Sequence, residues 1–330
     1  MAVWKKLNPE TGEYDVIPGT SSTTGGTESP EVTLPDLTGK TAIFMGDSYT
    51  VGMSAMLKTM CAEFGMVDDN RGKVSSSICG DEAGNKGFSP MWSRTNSVCS
   101  EYVTNGKTDD VALIVFMGGA NDGFGLETWV GSSIADTDTM HIYGAMHSIL
   151  NTFRKTFPKA KIITVLQPSS FNRKVSSITD DETASILGFA DVTSLQEMDD
   201  YQFSNYAMFV KERAVAEVAT FYNTSIVDCC FNWHSVLNAN DRAAYWNSDK
   251  LHLSNAGYED VTNAIRGKII KIFSEDGDDD SIVYFSGTKG AKGKDGKTPV
   301  KGEDYYTEAD KTEIVNAVLA EFTDVSEVGM

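Results

Sequence analysis

The sequence lacks the features that would settle its class at once. It has no uninterrupted apolar run approaching the roughly 20 residues needed to span a bilayer, so no transmembrane segment is expected. Positive charge is thin: 28 Lys and Arg stand against 47 Asp and Glu, for a formal net charge of -19. Nucleic-acid phosphates are held by concentrated Lys and Arg, so that partner is excluded and anionic membrane surfaces are disfavoured. Cysteines are few and odd in number: Cys61, Cys79, Cys99, Cys229 and Cys230 show neither CxxC spacing nor paired Cys/His ligands. They read as core or incidental thiols, with no metal site implied. The opening MAVWKKLNPETGEYD has no apolar stretch and no small-residue cleavage site, so no secretory signal is read there. A soluble protein is expected.

What is present is enough for a sizeable core: 41% of the 330 residues are hydrophobic. Residues 1–17 form a short N-terminal segment, and residues 18–39, rich in Ser, Thr, Gly and Pro, read as a linker. From residue 40 to 274, strands and helices alternate. Strands are predicted at Thr41–Met45, Val111–Met117, Lys161–Leu166 and Ser225–Val227, and helices at Thr50–Phe64, His141–Phe157, Tyr206–Tyr222 and Tyr258–Phe273. A polar, Gly-rich region fills the interval through Gly87. The runs Val111–Met117 and Lys161–Leu166 are continuously apolar, as expected of parallel strands buried on both faces. This order predicts a three-layer α/β domain whose site lies at the carboxyl ends of the strands.

The first strand ends in GDS, with Ser48 leading into a helix. A hydroxyl there lies near unpaired N–H groups and the positive end of the helix dipole, although Asp47 and Ser48 are also ordinary capping residues. A serine needs a base, normally histidine, to become a nucleophile. The chain has four histidines, His141, His147, His234 and His252. His141 and His147 fall at the start of a predicted helix and read as surface or packing residues; His234, after the last strand, stays open. His252 lies in WNSDKLHLSNAGY with Asp249 three residues earlier, a spacing at which the carboxylate can hydrogen-bond the ring and fix its tautomer. Oxyanion donors are offered by the amide of Asn121 in GGAND, the N–H of Ser48 and the N–H of Gly80, with Gly84 and Gly87 as alternatives to Gly80. The GxSxG elbow of α/β-hydrolases is absent.

Taken in order, GDS at Ser48, a glycine in the polar loop, GGAND at Asn121 and DKLH at Asp249 and His252 resemble the SGNH, or GDSL-type, hydrolases over about residues 40 to 273. The resemblance implies a flavodoxin-like three-layer fold with a parallel central sheet. It also implies a serine esterase without metal or organic cofactor, whose conserved Ser, Gly, Asn and His correspond to Ser48, Gly80, Asn121 and His252. The second block is irregular and crowded with glycines, so Gly80 is the looser correspondence.

Residues 275–330 differ in character. EDGDDDS is an acidic hinge without EF-hand spacing; Gly287, Gly290, Gly293 and Gly296 recur every third residue, as in collagen; and TEADKTEIVNAVLAEF opens with a capping box, Thr307 and Asp310, and carries an apolar stripe. Together these suggest a homotrimeric tail, the alternative being a flexible linker and a solitary helix. Both ends resemble segments of tail or receptor-binding proteins of phages and prophages of Gram-positive bacteria, which implies a virion-associated enzyme. The substrate implied is an acylated glycan, an O-acetyl ester of a bacterial surface polysaccharide, or another small ester. A non-catalytic glycan-binding module and a lipase or lysophospholipase are the rival readings. If the tail trimerises the chain, light scattering gives three times the monomer mass for the full chain and a monomer for a chain ending at Phe273; equal states for both remove the tail's role.

Overall fold

The computed structural model describes residues 5–7, 14–16, 34–81, 89–123, 130–168, 174–230, 244–274 and 283–284. The chain divides into two units, Met1–Phe285 and Ser286–Met330. The second unit lies outside the described residues, and with it the collagen-like run and the expected terminal helix; so do the acidic hinge and His234.

Near the N-terminus, β1 (Lys5–Leu7) and β2 (Tyr14–Val16) pair antiparallel. The main sheet contains β3 (Thr41–Gly46), β4 (Val67–Gly72), β5 (Val111–Met117), β6 (Lys161–Leu166), β7 (Ser225–Asp228) and the two-residue β8 (Val283–Tyr284). All its pairings are parallel, in the order β4-β3-β5-β6-β7-β8. Parallel neighbours require crossovers, and helices supply them. The helices are α1 (Ser48–Gly52), α2 (Ser54–Glu63), α3 (Met91–Thr104), α4 (Ile142–Thr156), α5 (Asp181–Ile186), α6 (Val192–Leu195), α7 (Asp200–Phe221) and α8 (Asn255–Phe273).

Side-chain alternation along each strand makes three layers. Ile43 and Met45 of β3, with Ile114 and Phe116 of β5, face a core closed by Val98, Ile149, Phe153 and Val215 of α3, α4 and α7. Ala42 and Phe44, with Leu113 and Val115, face the opposite core, closed by Leu57, Met60, Val261 and Ile265 of α2 and α8. A satellite cluster joins α5, α6 and the first turns of α7 through Leu187, Leu195 and Phe203.

The structure departs from the sequence reading in four places. The helix expected over 50–64 is two helices meeting at Met53. The Thr50 carbonyl, which a continuous α-helix would commit to the residue four places on, accepts the Asn70 side-chain amide at 3.2 Å, and the Ser54 hydroxyl takes the Val51 carbonyl at 2.7 Å. Strand β4 lies in what reads as a polar, Gly-rich loop; VDDNRG has no apolar alternation, yet it forms an edge strand, where one side needs no partner. Helices α3, α5 and α6 fall in segments for which the sequence predicts no helix. Helix α7 begins at Asp200, six residues before the expected start, behind a capping box of Asp199 and Gln202.

Register places the loops that follow β3, β4 and β5 on one edge, because Gly46 pairs with Gly72 on one side and Met117 on the other. The exit from β3 is tight: a Cβ on Gly46 would lie 2.0 Å from Thr50 Oγ1 and 2.6 Å from the Met117 carbonyl oxygen. Gly46→Ala is expected to cost about 1–3 kcal/mol, the usual range for overpacking. The cost would be read as a lowered midpoint in urea unfolding, and an unchanged midpoint would show that the loop can give way.

Candidate active site

Ser48 opens α1 directly after β3, with Asp47 as N-cap, and its side chain is half-buried. His252 Nε2 stands 3.0 Å from Ser48 Oγ across 204 residues of chain, and His252 Nδ1 stands 2.7 Å from Asp249 Oδ2. The structure thus joins Ser48, His252 and Asp249 in one hydrogen-bonded chain.

The loop carrying Asp249 and His252 is built to hold that geometry. Asp249 Oδ1 accepts the N–H groups of Leu251 at 3.0 Å and His252 at 2.9 Å, so the carboxylate organises the turn that presents its own histidine. The base of the loop closes through Asn247 N–H to the His252 carbonyl, Ser254 N–H to the Tyr245 carbonyl and the bridge between Trp246 and Leu253. The hydroxyl of buried Tyr49, the residue after Ser48, donates to the Leu251 carbonyl and ties this loop to α1. Partial burial pushes the Asp249 carboxyl up, but the hydrogen bonds from the His252 ring, His252 N–H and Leu251 N–H outweigh it and hold its pKa below the usual value. It therefore stays charged where a neighbouring imidazolium would need it.

Asn121, past β5, donates one amide hydrogen to the Ser76 carbonyl at 3.0 Å. Ser76 is fixed in turn: its hydroxyl donates to the Ser89 carbonyl at 2.6 Å and accepts from Arg94 Nη1 at 2.8 Å. An amide has two N–H donors, so one remains for another acceptor. Gly80 is placed otherwise. At φ +124° its N–H donates to the Thr139 carbonyl at 3.0 Å, which commits the donor read from sequence to the 130–141 segment. Gly84 and Gly87 lie outside the described residues. His141 hydrogen-bonds Asp136, and His147 contacts the Ile134 carbonyl and the Tyr222 hydroxyl, so both serve packing.

Beneath the serine lies a buried polar layer that the sequence reading missed. Asp47 is fully buried; Oδ1 accepts Tyr49 N–H at 2.9 Å and Oδ2 accepts Gln167 Nε2 at 2.8 Å. Gln167 Oε1 accepts Ala120 N–H at 2.7 Å, and Gln167 N–H donates to Glu212 Oε2 at 2.9 Å. Lys211, buried in α7, donates to the Gly119 and Asp122 carbonyls. Glu212 Oε1 has no hydrogen-bond partner among the described residues, and a Cβ on Gly119, at φ +139°, would come within 2.4 Å of it. The one sequence cue was the polar Gln167 directly after the apolar run of β6.

Desolvation dominates this layer. It raises the Asp47 carboxyl to about 6 against the hydrogen bonds from Gln167 and Tyr49, raises Asp122 against the nearby Lys211 ammonium, and raises Glu212 well above its usual range. All five cysteines are buried and free. Burial raises the thiols of Cys61, Cys79, Cys99, Cys229 and Cys230, as expected of core residues. Among the described residues no group of His, Cys, Asp and Glu is disposed to hold a metal ion, and no helix is long and apolar enough to cross a membrane.

A model of the GDSL-like lipase/acylhydrolase family matches residues 44–259. No curated protein matches the chain. Among solved structures, the chain is similar to a protein from Lactobacillus plantarum, at 19% identity over 70% of this chain and 96% of the other, with a TM-score of 0.48. It is also similar to a carbohydrate esterase family 3 protein from Talaromyces cellulolyticus, at 15% identity over 71% and 98%, with a TM-score of 0.43. An alpha/beta hydrolase enzyme from the Lake Arreo metagenome matches at 14% identity over 72% and 97%, with a TM-score of 0.41.

The raised Asp47 carboxyl gives a pH prediction. Between about 4 and 6 the folded state holds a proton that the unfolded chain, with an ordinary Asp value of 3.8, has released. Stability contributed at Asp47 therefore falls as pH rises through that window, and Asp122 and Glu212 act with the same sign. In urea unfolding from pH 4 to 7, wild type should lose ground to Asp47→Asn as pH rises; a pH-independent difference would show that Asp47 does not change protonation there.

Proposed function

Because the chain belongs to the GDSL-like lipase/acylhydrolase family, we propose that it is a serine esterase that hydrolyses short acyl esters through an acyl-enzyme at Ser48. The observation that carries this reading is the 3.0 Å contact of Ser48 Oγ with a histidine whose other nitrogen is held by Asp249. His252 takes the Ser48 proton as Oγ attacks the ester carbonyl, and Asp249 stabilises the imidazolium. The tetrahedral oxyanion is held by the second amide hydrogen of Asn121 and the N–H of Ser48 at the head of α1. Gly80 N–H joins them only if it leaves the Thr139 carbonyl. Proton return from His252 expels the alcohol; a water activated by the same base then frees the acid and restores Ser48.

The resemblance of both ends to phage tail proteins supports an O-acetyl or similar short acyl ester on a bacterial surface polysaccharide as substrate, with the enzyme carried on a virion as a homotrimer.

Intact-mass and peptide mapping after fluorophosphonate treatment should find one adduct on Ser48, lost in Ser48→Ala. Asp249→Asn should lower kcat by roughly three to four orders of magnitude, as loss of the orienting carboxylate does in serine triads. A folded wild type without adduct would overturn the esterase reading in favour of glycan binding, and full activity in Asp249→Asn would overturn the triad.

A further inference from the structure

The buried layer contains one side chain that touches both halves of the site. Gln167 Nε2 donates to Asp47 Oδ2 at 2.8 Å, and Asp47 immediately precedes Ser48. Gln167 Oε1 accepts Ala120 N–H at 2.7 Å, and Ala120 immediately precedes Asn121. We propose that Gln167 is a positioning residue that fixes the nucleophile loop against the oxyanion loop, setting the separation of Ser48 from the Asn121 amide. The inference rests on the roles given to Ser48 and Asn121 above.

Three features make the amide a spacer. It is fully buried, so its two functional atoms have no water to turn to, and losing either partner leaves an unsatisfied group. Only an amide of this length offers a donor to a carboxylate and an acceptor to an N–H from one rigid plane. Its own backbone is held, since Gln167 N–H donates to Glu212 Oε2 at 2.9 Å.

Helix α7 extends that hold to the second loop. Lys211 Nζ donates to the Gly119 carbonyl at 2.6 Å and to the Asp122 carbonyl at 2.9 Å, on either side of Ala120 and Asn121. Asp122 in turn accepts N–H groups of Ile78 at 2.9 Å and Cys79 at 3.1 Å. Adjacent residues of one helix thus grip both the strand end that carries Gln167 and the turn that carries Asn121. Gln167 spans from this frame to the serine loop.

The test uses the full chain with Gln167→Met, which keeps length and removes both hydrogen bonds, and Gln167→Asn, which keeps the amide but shortens its reach in case the first variant folds poorly. Turnover of p-nitrophenyl acetate is normalised to Ser48 titrated by fluorophosphonate, so that loss of folded enzyme does not count. Both variants should lose about 10- to 100-fold in kcat, the scale of a misplacement near 1 Å, with KM changed less than twofold. Combined with Asn121→Ala, the loss should be smaller than the product of the two single losses, because both act on one separation. Amide exchange should quicken together in the peptides containing Tyr49 and Ala120. Unchanged kcat, a multiplicative double variant, or faster exchange in one peptide only would overturn the proposal. A wild type without adduct at Ser48 would overturn the esterase reading instead, and exchange in the two peptides would still decide whether Gln167 bridges them.

Discussion

Asp47 has its carboxylate cut off from water one residue before Ser48, so protein groups alone must satisfy both of its oxygens. That requirement reaches through the fold. The Tyr49 N–H that answers one oxygen fixes the first turn of α1, and the Tyr49 hydroxyl reaches on to the loop of His252. The Gln167 amide that answers the other ties in the ends of β6 and β5 and, through Glu212, the long helix α7. A buried polar network is stabilising only when its members are satisfied, so these elements are held in a common register by one carboxylate.

The same layer concentrates three carboxyls, Asp47, Asp122 and Glu212, with one buried ammonium, Lys211. Ionising all three in so little dielectric is costly, and burial raises the pKa of each. The carboxylate oxygens of this layer accept N–H groups of Tyr49, Ile78, Cys79 and Gln167 and the Gln167 side-chain amide, so the layer is held by hydrogen bonds as well as by charge.

How much of this could be read from the sequence follows physical lines. The central strands were legible because β5 and β6 are buried on both faces and therefore uninterrupted in apolar character. Strand β4 was not: its edge position frees VDDNRG from any apolar requirement. The break at Met53 was hidden: the Thr50 carbonyl beside it is met by the Asn70 side chain, a partner that local sequence does not reveal. Within the site, Asp249 and His252 could be paired by eye because their hydrogen bond is local, three residues apart. Gln167, Lys211 and Glu212 could not, since nothing in their local sequence says what they will face. Gly80 shows the opposite difficulty: the residue was conspicuous, but the direction of its N–H depends on a backbone angle and on Thr139, far along the chain.

The separation of Ser48 from His252 also governs when the site can exist. Their contact spans 204 residues, and the loop bearing the histidine is anchored by Ser254, the N-cap of α8. Contacts of such long range carry a loop-closure cost in entropy and slow folding. A chain in which the segment bearing His252 has not packed therefore lacks the contact between Ser48 and His252. The contact between the hydroxyl and the imidazole exists only when the end of β3 and the segment before α8, the two extremes of the main fold, lie side by side.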